Sequence, residues 1–179
     1  MFKKDGLLQT TTMSYYDEIA PGYDRLHKEE QLTKIMCVID GLNISREDTV
    51  LDVGCGTAFS FELLHPIGCR YQGAEPSKGL IEHSRYPNKI TLCSAESLPF
   101  PDGLFTAVIS ITALQNFDDS KKGLEEMERV CSDRLAITFL KKSPKKDLFD
   151  QLLKELFVVE QVVECNQDLV YFLSKKECL

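Results

Sequence analysis

Two different periodicities of apolar residues divide the chain. Leu32, Ile35, Met36, Ile39 and Leu42 recur at helical spacing, which predicts an amphipathic helix that ends at Gly41. From residue 49 onward, short β-branched runs alternate with helical stretches. The predicted strands lie at 49–53, 71–75, 89–93, 105–111 and 135–140. The predicted helices follow Gly56, run from Ser77 to about Arg85, and run from Ser120 to Val130, with Leu124, Met127 and Val130 on one face.

The last part of the chain predicts a hairpin. A helix from about Lys145 to Leu156 precedes two strands near 157–165 and 168–174, which the short turn at 166–168 joins. A parallel pair would need a crossover of about a dozen residues or more, so this pair is antiparallel. The fold class is therefore α/β, with a doubly wound seven-stranded sheet that is mostly parallel and carries an antiparallel C-terminal hairpin.

No internal repeat or Gly/Ser-rich linker divides the 179 residues. We therefore expect a single domain over residues 1–179. Within it we expect a flexible tail at 1–12, N-terminal cap helices at 13–48 and the α/β core at 49–179.

Composition narrows the class of protein. Apolar residues make up 43% and charged residues 27%, as in globular proteins of ordinary composition. The basic start of the chain is not followed by an apolar block, and no run approaches the ~20 residues of a membrane span. The expectation is a cytoplasmic protein without membrane insertion.

Metal and nucleic-acid binding find little support in the composition. The seven cysteines form no CxxC pair and the three histidines are scattered, so we predict no metal site. The net charge of -7 opposes broad binding to nucleic acid. Lysines 141, 142, 145 and 146 form a local exception, either as a solvated turn or as a contact for an anionic acceptor such as RNA, so binding of nucleic acid stays open.

The strongest local signal is the segment 50–58, VLDVGCGTA. A buried strand leads into a turn where Gly54 and Gly56 allow close approach of a ligand. A dinucleotide fingerprint would place a third glycine where Phe59 stands, which disfavours NAD. Asp52 in front of the turn suits a cationic ligand such as S-adenosylmethionine, which carries an ammonium and a sulfonium group. Glu75, at the end of the second strand, can accept two hydrogen bonds from a ribose diol.

Three segments in order carry a family resemblance. They are VLDVGCGTA at 50–58, GAEPS at 73–77 and SAESLPFPDGLFTAVIS at 94–110. Over about residues 14–140 the chain resembles class I S-adenosylmethionine-dependent methyltransferases, and within them the type 11 and ubiquinone/menaquinone-biosynthesis group. The resemblance implies a Rossmann-like fold and S-adenosyl-L-methionine as cofactor, and it leaves the acceptor unidentified.

The resemblance also implies which residues touch the cofactor. The methionine and ribose end of the cofactor would contact Asp52, Gly54, Cys55 and Gly56. Its ribose diol and adenine would contact Glu75, Pro76, Ala95 and Glu96. Its middle would contact Ile111, and Tyr23 matches a cofactor-binding residue of the family's N-terminal cap. Tyr15, Tyr16, Gln115 and Asn116 are candidates for orienting the acceptor. Ala58 replaces a frequent third glycine, and no histidine stands in 112–117, so no catalytic base is assigned.

The expected activity is methyl transfer by in-line displacement, for which alignment of the reactants matters most. Two alternatives are a non-catalytic S-adenosylmethionine-binding subunit of a larger methyltransferase and, less favoured, an NAD-binding enzyme. The connection after the fifth strand carries one helix and no inserted lid. An open pocket of that kind would suit a large or macromolecular acceptor, or an activator subunit that completes the site.

Overall fold

The computed structural model describes residues 31–176, and the elements are numbered within that range. The strands are β1 (Thr49–Val53), β2 (Arg70–Glu75), β3 (Ile90–Leu92), β4 (Phe105–Ile111), β5 (Cys131–Leu140), β6 (Phe157–Cys165) and β7 (Asp168–Lys175). The α-helices are α1 (31–42), α2 (Ser60–Leu64), α3 (Lys78–His83), α4 (Ser120–Val130) and α5 (Lys146–Leu156). Short 3-10 helices lie at His65–Ile67, Pro87–Lys89 and Leu114–Asn116.

The seven strands form one sheet in the order β3-β2-β1-β4-β5-β7-β6. The first five strands are parallel, and β7 pairs antiparallel with both β5 and β6. The predicted fold class is thus confirmed, including the C-terminal hairpin. Because the chain winds outward from β1 to β3 and then returns to β4, the order reverses between β1 and β4, where open α/β sheets bind ligands.

Both faces of the sheet are covered, so neighbouring residues on one strand enter different cores. On β1, Leu51 packs into the core beneath α4 and α5, whereas Val50 packs into the core beneath α1 and α2. This burial on both sides explains why the parallel strands are continuously apolar. The predicted face of α4 is confirmed: Leu124, Met127 and Val130 are all fully buried.

Helix α1 differs in detail from its prediction. Met36 is 54% exposed, and Val38 lies in the core instead. The helix continues one residue past Gly41, because that glycine serves packing: a Cβ on Gly41 would lie 2.1 Å from the ring of Phe172. Asn43, with φ of 50°, adopts the left-handed conformation that ends the helix.

Some predicted boundaries also move in the sheet. Strand β5 begins at Cys131, four residues before the predicted start, because its first part pairs with β4 beyond the apolar run. In the described part of the chain, no helix combines the length and the apolar character that a membrane crossing requires.

An aromatic cluster provides a test of the core beneath α5. Phe139 stacks on Tyr171 with ring centroids 5.3 Å apart and meets the edge of Phe149 at 5.1 Å. Phe139→Ala should lower the free energy of unfolding by about 3–5 kcal/mol, because the cavity cannot collapse among packed strands. Urea denaturation measures this loss. Leu148→Ala, at a side chain 49% exposed, is the matched control and should cost less than about 0.5 kcal/mol; equal losses would contradict this account of the core.

Candidate functional site

The glycine turn after β1 is fastened to the end of β2. The backbone amides of Gly54 and Cys55 both donate to the carbonyl of Ala74, at 2.8 and 3.2 Å. Gly54 has a φ of 74°, and a Cβ on it would lie 2.5 Å from the Cβ of Ala113. Conformation and close approach therefore both require glycine at this position.

Ala58, in the same turn, adopts a φ of 59° although it is not a glycine. Its side chain is fully buried in the core beneath α1 and α2. The backbone therefore keeps the conformation that a third glycine would take easily, at the cost of left-handed strain.

A cavity of about 350 Å³ opens beside this turn, at the carboxyl ends of the parallel strands. Its size is typical of sites for small molecules and cofactors. Eight of the residues predicted from the sequence line it: Gly54, Gly56, Glu75, Pro76, Ala95, Glu96, Ile111 and Asn116. Nine further lining residues were not predicted from the sequence: Ser77, Leu80, Leu92, Cys93, Ser94, Thr112, Ala113, Phe117 and Asp118. Five of these, Ser77, Cys93, Ser94, Thr112 and Ala113, lie within two residues after a strand end, and that position is the signal that could have identified them.

The remaining predicted residues lie elsewhere. Asp52, Cys55 and Gln115 are outside the lining of the cavity. Tyr15, Tyr16 and Tyr23 lie outside the described residues.

Backbone amides hold both carboxylate oxygens of Glu75. Its Oε2 accepts from the amide of Gly56 at 2.9 Å, and its Oε1 accepts from the amide of Ser77 at 2.9 Å. A carboxylate oxygen can accept more than one hydrogen bond, so this carboxylate can also receive hydroxyl donors. Its orientation is fixed before any ligand binds.

Asp52 is buried directly behind the turn. Its Oδ2 accepts a short hydrogen bond from the hydroxyl of Ser60 and a second from the hydroxyl of Tyr71 at 3.3 Å. Burial raises the pKa of Asp52 to about 6, although both hydrogen bonds act in the opposite direction. The side chain therefore links β1 to Ser60 and Tyr71, and near neutral pH it carries a negative charge close to the turn.

The charged residues that line the cavity in the described chain are all acidic: Glu75, Glu96 and Asp118. Burial and the charge of Glu75 raise the pKa of Cys93 to about 11, so its thiol is neutral. Such a lining favours a cationic ligand over a pyrophosphate. Within residues 31–176, no group of three His, Cys, Asp or Glu side chains could hold a metal ion.

The segment after β4 forms a further wall of the cavity. Asn116 and Phe117 face the cavity. The Oε1 of Gln115 accepts weakly from the amide of Leu140 at 3.4 Å, so that side chain turns toward β5. In the nearby lysine run, Lys141 pairs with Glu164 at 2.9 Å, and the Nζ of Lys145 donates to the carbonyl of Gln115 at 3.5 Å.

The family model for the methyltransferase domain matches residues 51–134. The demethylmenaquinone methyltransferase of Mycobacterium sp. (strain KMS) is 30% identical over 176 residues, which cover 90% of this chain and 75% of that protein. The chain spans only 47% to 63% of the length of three further curated relatives.

Solved structures share the fold. A SAM-dependent methyltransferase from Aquifex aeolicus superposes with a TM-score of 0.71 at 17% identity, covering 92% of this chain and 98% of that one. A putative methyltransferase, solved in complex with the Trm112 methyltransferase activator of Haloferax volcanii, gives a TM-score of 0.80 at 12% identity, covering 94% and 99%.

The raised pKa of Asp52 predicts a pH-dependent stability. The ordinary pKa of 3.8 rises to about 6 on folding, so the protonated side chain stabilises the fold at low pH and this contribution is lost as the pH rises toward 6. Asp52→Asn removes this titration. Between about pH 4 and pH 7, its free energy of unfolding should therefore increase relative to wild type by on the order of 2 kcal/mol.

Urea denaturation at several pH values measures the difference. Asp147→Asn is the control, since it removes one exposed carboxylate at the start of α5. If the wild type and Asp52→Asn kept a constant difference over this range, the raised pKa of Asp52 would be refuted.

Proposed function

We propose that this chain, which belongs to the class I S-adenosylmethionine-dependent methyltransferases, binds S-adenosylmethionine in the cavity beside the glycine turn. It then transfers the methyl group of this cofactor to an acceptor. The observation that carries this proposal is the double anchoring of Glu75 by the amides of Gly56 and Ser77. Such folds bind ribose hydroxyls with an acidic side chain at the end of this strand.

The residues present fit this cofactor. Gly54 and Gly56 leave room for close approach of its methionine part, and the acidic lining suits its positive charge. Pro76, Ala95 and Ile111 line the cavity and would offer apolar contacts, and the Glu96 carboxylate would meet the adenine. Asp52 and Cys55, which do not line the cavity, would act through the shape and charge of the turn.

When bound, S-adenosylmethionine supplies a methyl group on a positively charged sulfur, which an acceptor can displace in line. The chain's part is to align the two reactants, and such positioning can contribute about 7–11 kcal/mol to the reaction. A general base is needed only where the acceptor must lose a proton during transfer. No residue is therefore assigned as a base.

Two alternatives are weaker. An NAD-binding enzyme is disfavoured by Phe59 at the third glycine position and by the acidic lining of the cavity. A non-catalytic partner subunit is not favoured, because the 30% identical mycobacterial relative carries a methyltransferase name.

An activator subunit is a further proposed partner. Its support is a likeness of fold to the protein solved with the Trm112 activator, together with the single helix between β5 and β6 in the described chain. A large or macromolecular acceptor would fit the same open geometry. Light scattering and methyl transfer, measured with and without a candidate activator, test this proposal.

Glu75→Gln tests the proposed cofactor site. One carboxylate oxygen becomes an NH2 group, which would face the amide of Gly56 or of Ser77 and lose that hydrogen bond. Affinity for S-adenosylhomocysteine should fall about 10- to 100-fold, because a buried donor is left unsatisfied beside the ribose. Isothermal titration measures it, with NAD as a ligand that should not bind.

Glu82→Gln is the matched control, since Glu82 is exposed on α3 and only pairs with Lys78 at 3.5 Å. Its affinity should equal that of wild type. If the wild type bound neither S-adenosylmethionine nor S-adenosylhomocysteine, this result would contradict the proposed function.

The wall after β4 predicts unequal roles for Gln115 and Asn116, the two acceptor candidates that lie within residues 31–176. Once a screen with labelled methyl donor has identified an acceptor, Asn116→Ala should lower turnover by about tenfold or more, because misplacing a reactant is costly. Its affinity for S-adenosylhomocysteine should change little. Gln115→Ala is the comparison, and its smaller effect follows from a side chain turned toward β5. Equal loss of turnover and of cofactor affinity in Asn116→Ala would contradict an acceptor role.

A further inference from the structure

Thr112 holds an unfavourable backbone conformation at the cavity. It directly follows β4, lines the cavity and has a φ of 55°. Of the four non-glycine residues with positive φ in the described chain, it alone is β-branched, and such residues rarely adopt this conformation. Strain of this kind persists only where the surroundings impose it, and it concentrates at functional sites.

A buried polar network imposes the conformation. The amide of Thr112 donates to the carbonyl and to the Oγ1 of Thr138, at 3.1 and 2.8 Å. The hydroxyls of Thr112 and Thr138 both donate to Oδ2 of Asp168, at 2.6 and 2.9 Å. The Nζ of Lys34 lies 3.0 Å from the other carboxylate oxygen and donates to Oγ1 of Thr112 at 3.2 Å.

Both charges of the network are withdrawn from solvent. Lys34 is 1% exposed and Asp168 is fully buried. Removing two charges from water is expensive, and a well-packed apolar pair often stabilises a fold as well or better. Stability alone therefore accounts poorly for an ion pair at this place. What the pair achieves is to join α1, the end of β4, β5 and β7 at one fixed point.

Thr112 connects the buried ion pair to the cavity. The next residue, Ala113, packs against the glycine turn, where a Cβ added to Gly54 would come within 2.5 Å of the Ala113 Cβ. A change of backbone conformation at Thr112 would shift Ala113 and alter the width of the cavity at this end. The positions of Gly54 and Ala113 are thus coupled to helix α1.

We propose that the buried Lys34–Asp168 ion pair is a positioning device, which holds Thr112 in its left-handed conformation and so sets the wall of the cavity next to the glycine turn. Lys34 and Asp168 are positioning residues, since they act through Thr112. The inference rests on the proposed function in that it takes this cavity to be the cofactor site.

The test uses a double variant, Lys34→Met with Asp168→Val, because a single replacement would leave an uncompensated buried charge. Without the pair, Thr112 should leave the left-handed region for part of the time. Hydrogen exchange of the amides over 111–117 should accelerate, and affinity for S-adenosylhomocysteine should fall about tenfold. Circular dichroism checks that the variant is folded.

A rescue separates positioning from a merely structural role. Adding Thr112→Gly to the double variant supplies a residue that adopts positive φ without support. Slow exchange and affinity within about threefold of wild type should return, even though no ion pair is restored. The control is Asp48→Asn, which breaks the Arg134–Asp48 ion pair of 3.1 Å at the opposite end of the sheet. It should lower stability and leave affinity unchanged.

Each outcome decides the inference. A double variant with wild-type exchange and affinity would overturn it, and so would a loss of affinity that glycine at 112 does not rescue. If the wild type bound no S-adenosylhomocysteine, the proposed function would fall, while hydrogen exchange would still test the hold on Thr112, because that measurement needs no ligand.

Discussion

The site depends on the way in which the end of β2 holds the turn after β1. The carbonyl of Ala74 receives two amides of that turn, and the neighbouring Glu75 side chain receives the amides of Gly56 and Ser77. Two consecutive residues thus fix both the glycine turn and the start of α3. Because the donors of these bonds are backbone amides, the bonds hold the conformation of the turn itself. The carboxylate that can meet a ligand is oriented by the same bonds.

This turn belongs to a sheet that is covered on both faces. Parallel strands end at one edge, and the crossover helices that cover them leave that edge open. In this chain α4 and α5 cover one face, while α1 and α2 cover the other. The buried faces anchor the strand ends, and the reversal of strand order between β1 and β4 leaves the crevice.

The sequence predicted most reliably what depends on local pattern. The alternation of apolar runs predicted the sheet and its hairpin, and the spacing of Leu124, Met127 and Val130 predicted the buried face of α4. The glycine turn and Glu75 were identifiable because motif and strand end coincide. Contacts between elements that are distant in the sequence could not be predicted from local patterns. Met36 has the right spacing and faces solvent, and Gly41 resembled a helix end although it makes room for Phe172.

The same distinction separates the two halves of the cavity. The half beside the glycine turn is built from residues close to strand ends, so short sequence motifs describe it. The other half is set by Lys34, Thr112 and Asp168, which are separated by 78 and 56 residues along the chain. In the sequence, Lys34 looks like an exposed helix residue and Asp168 like a turn residue. Only the fold shows that they share one buried contact with a strained threonine. The shape of the cavity at this end therefore depends on contacts that no local motif records.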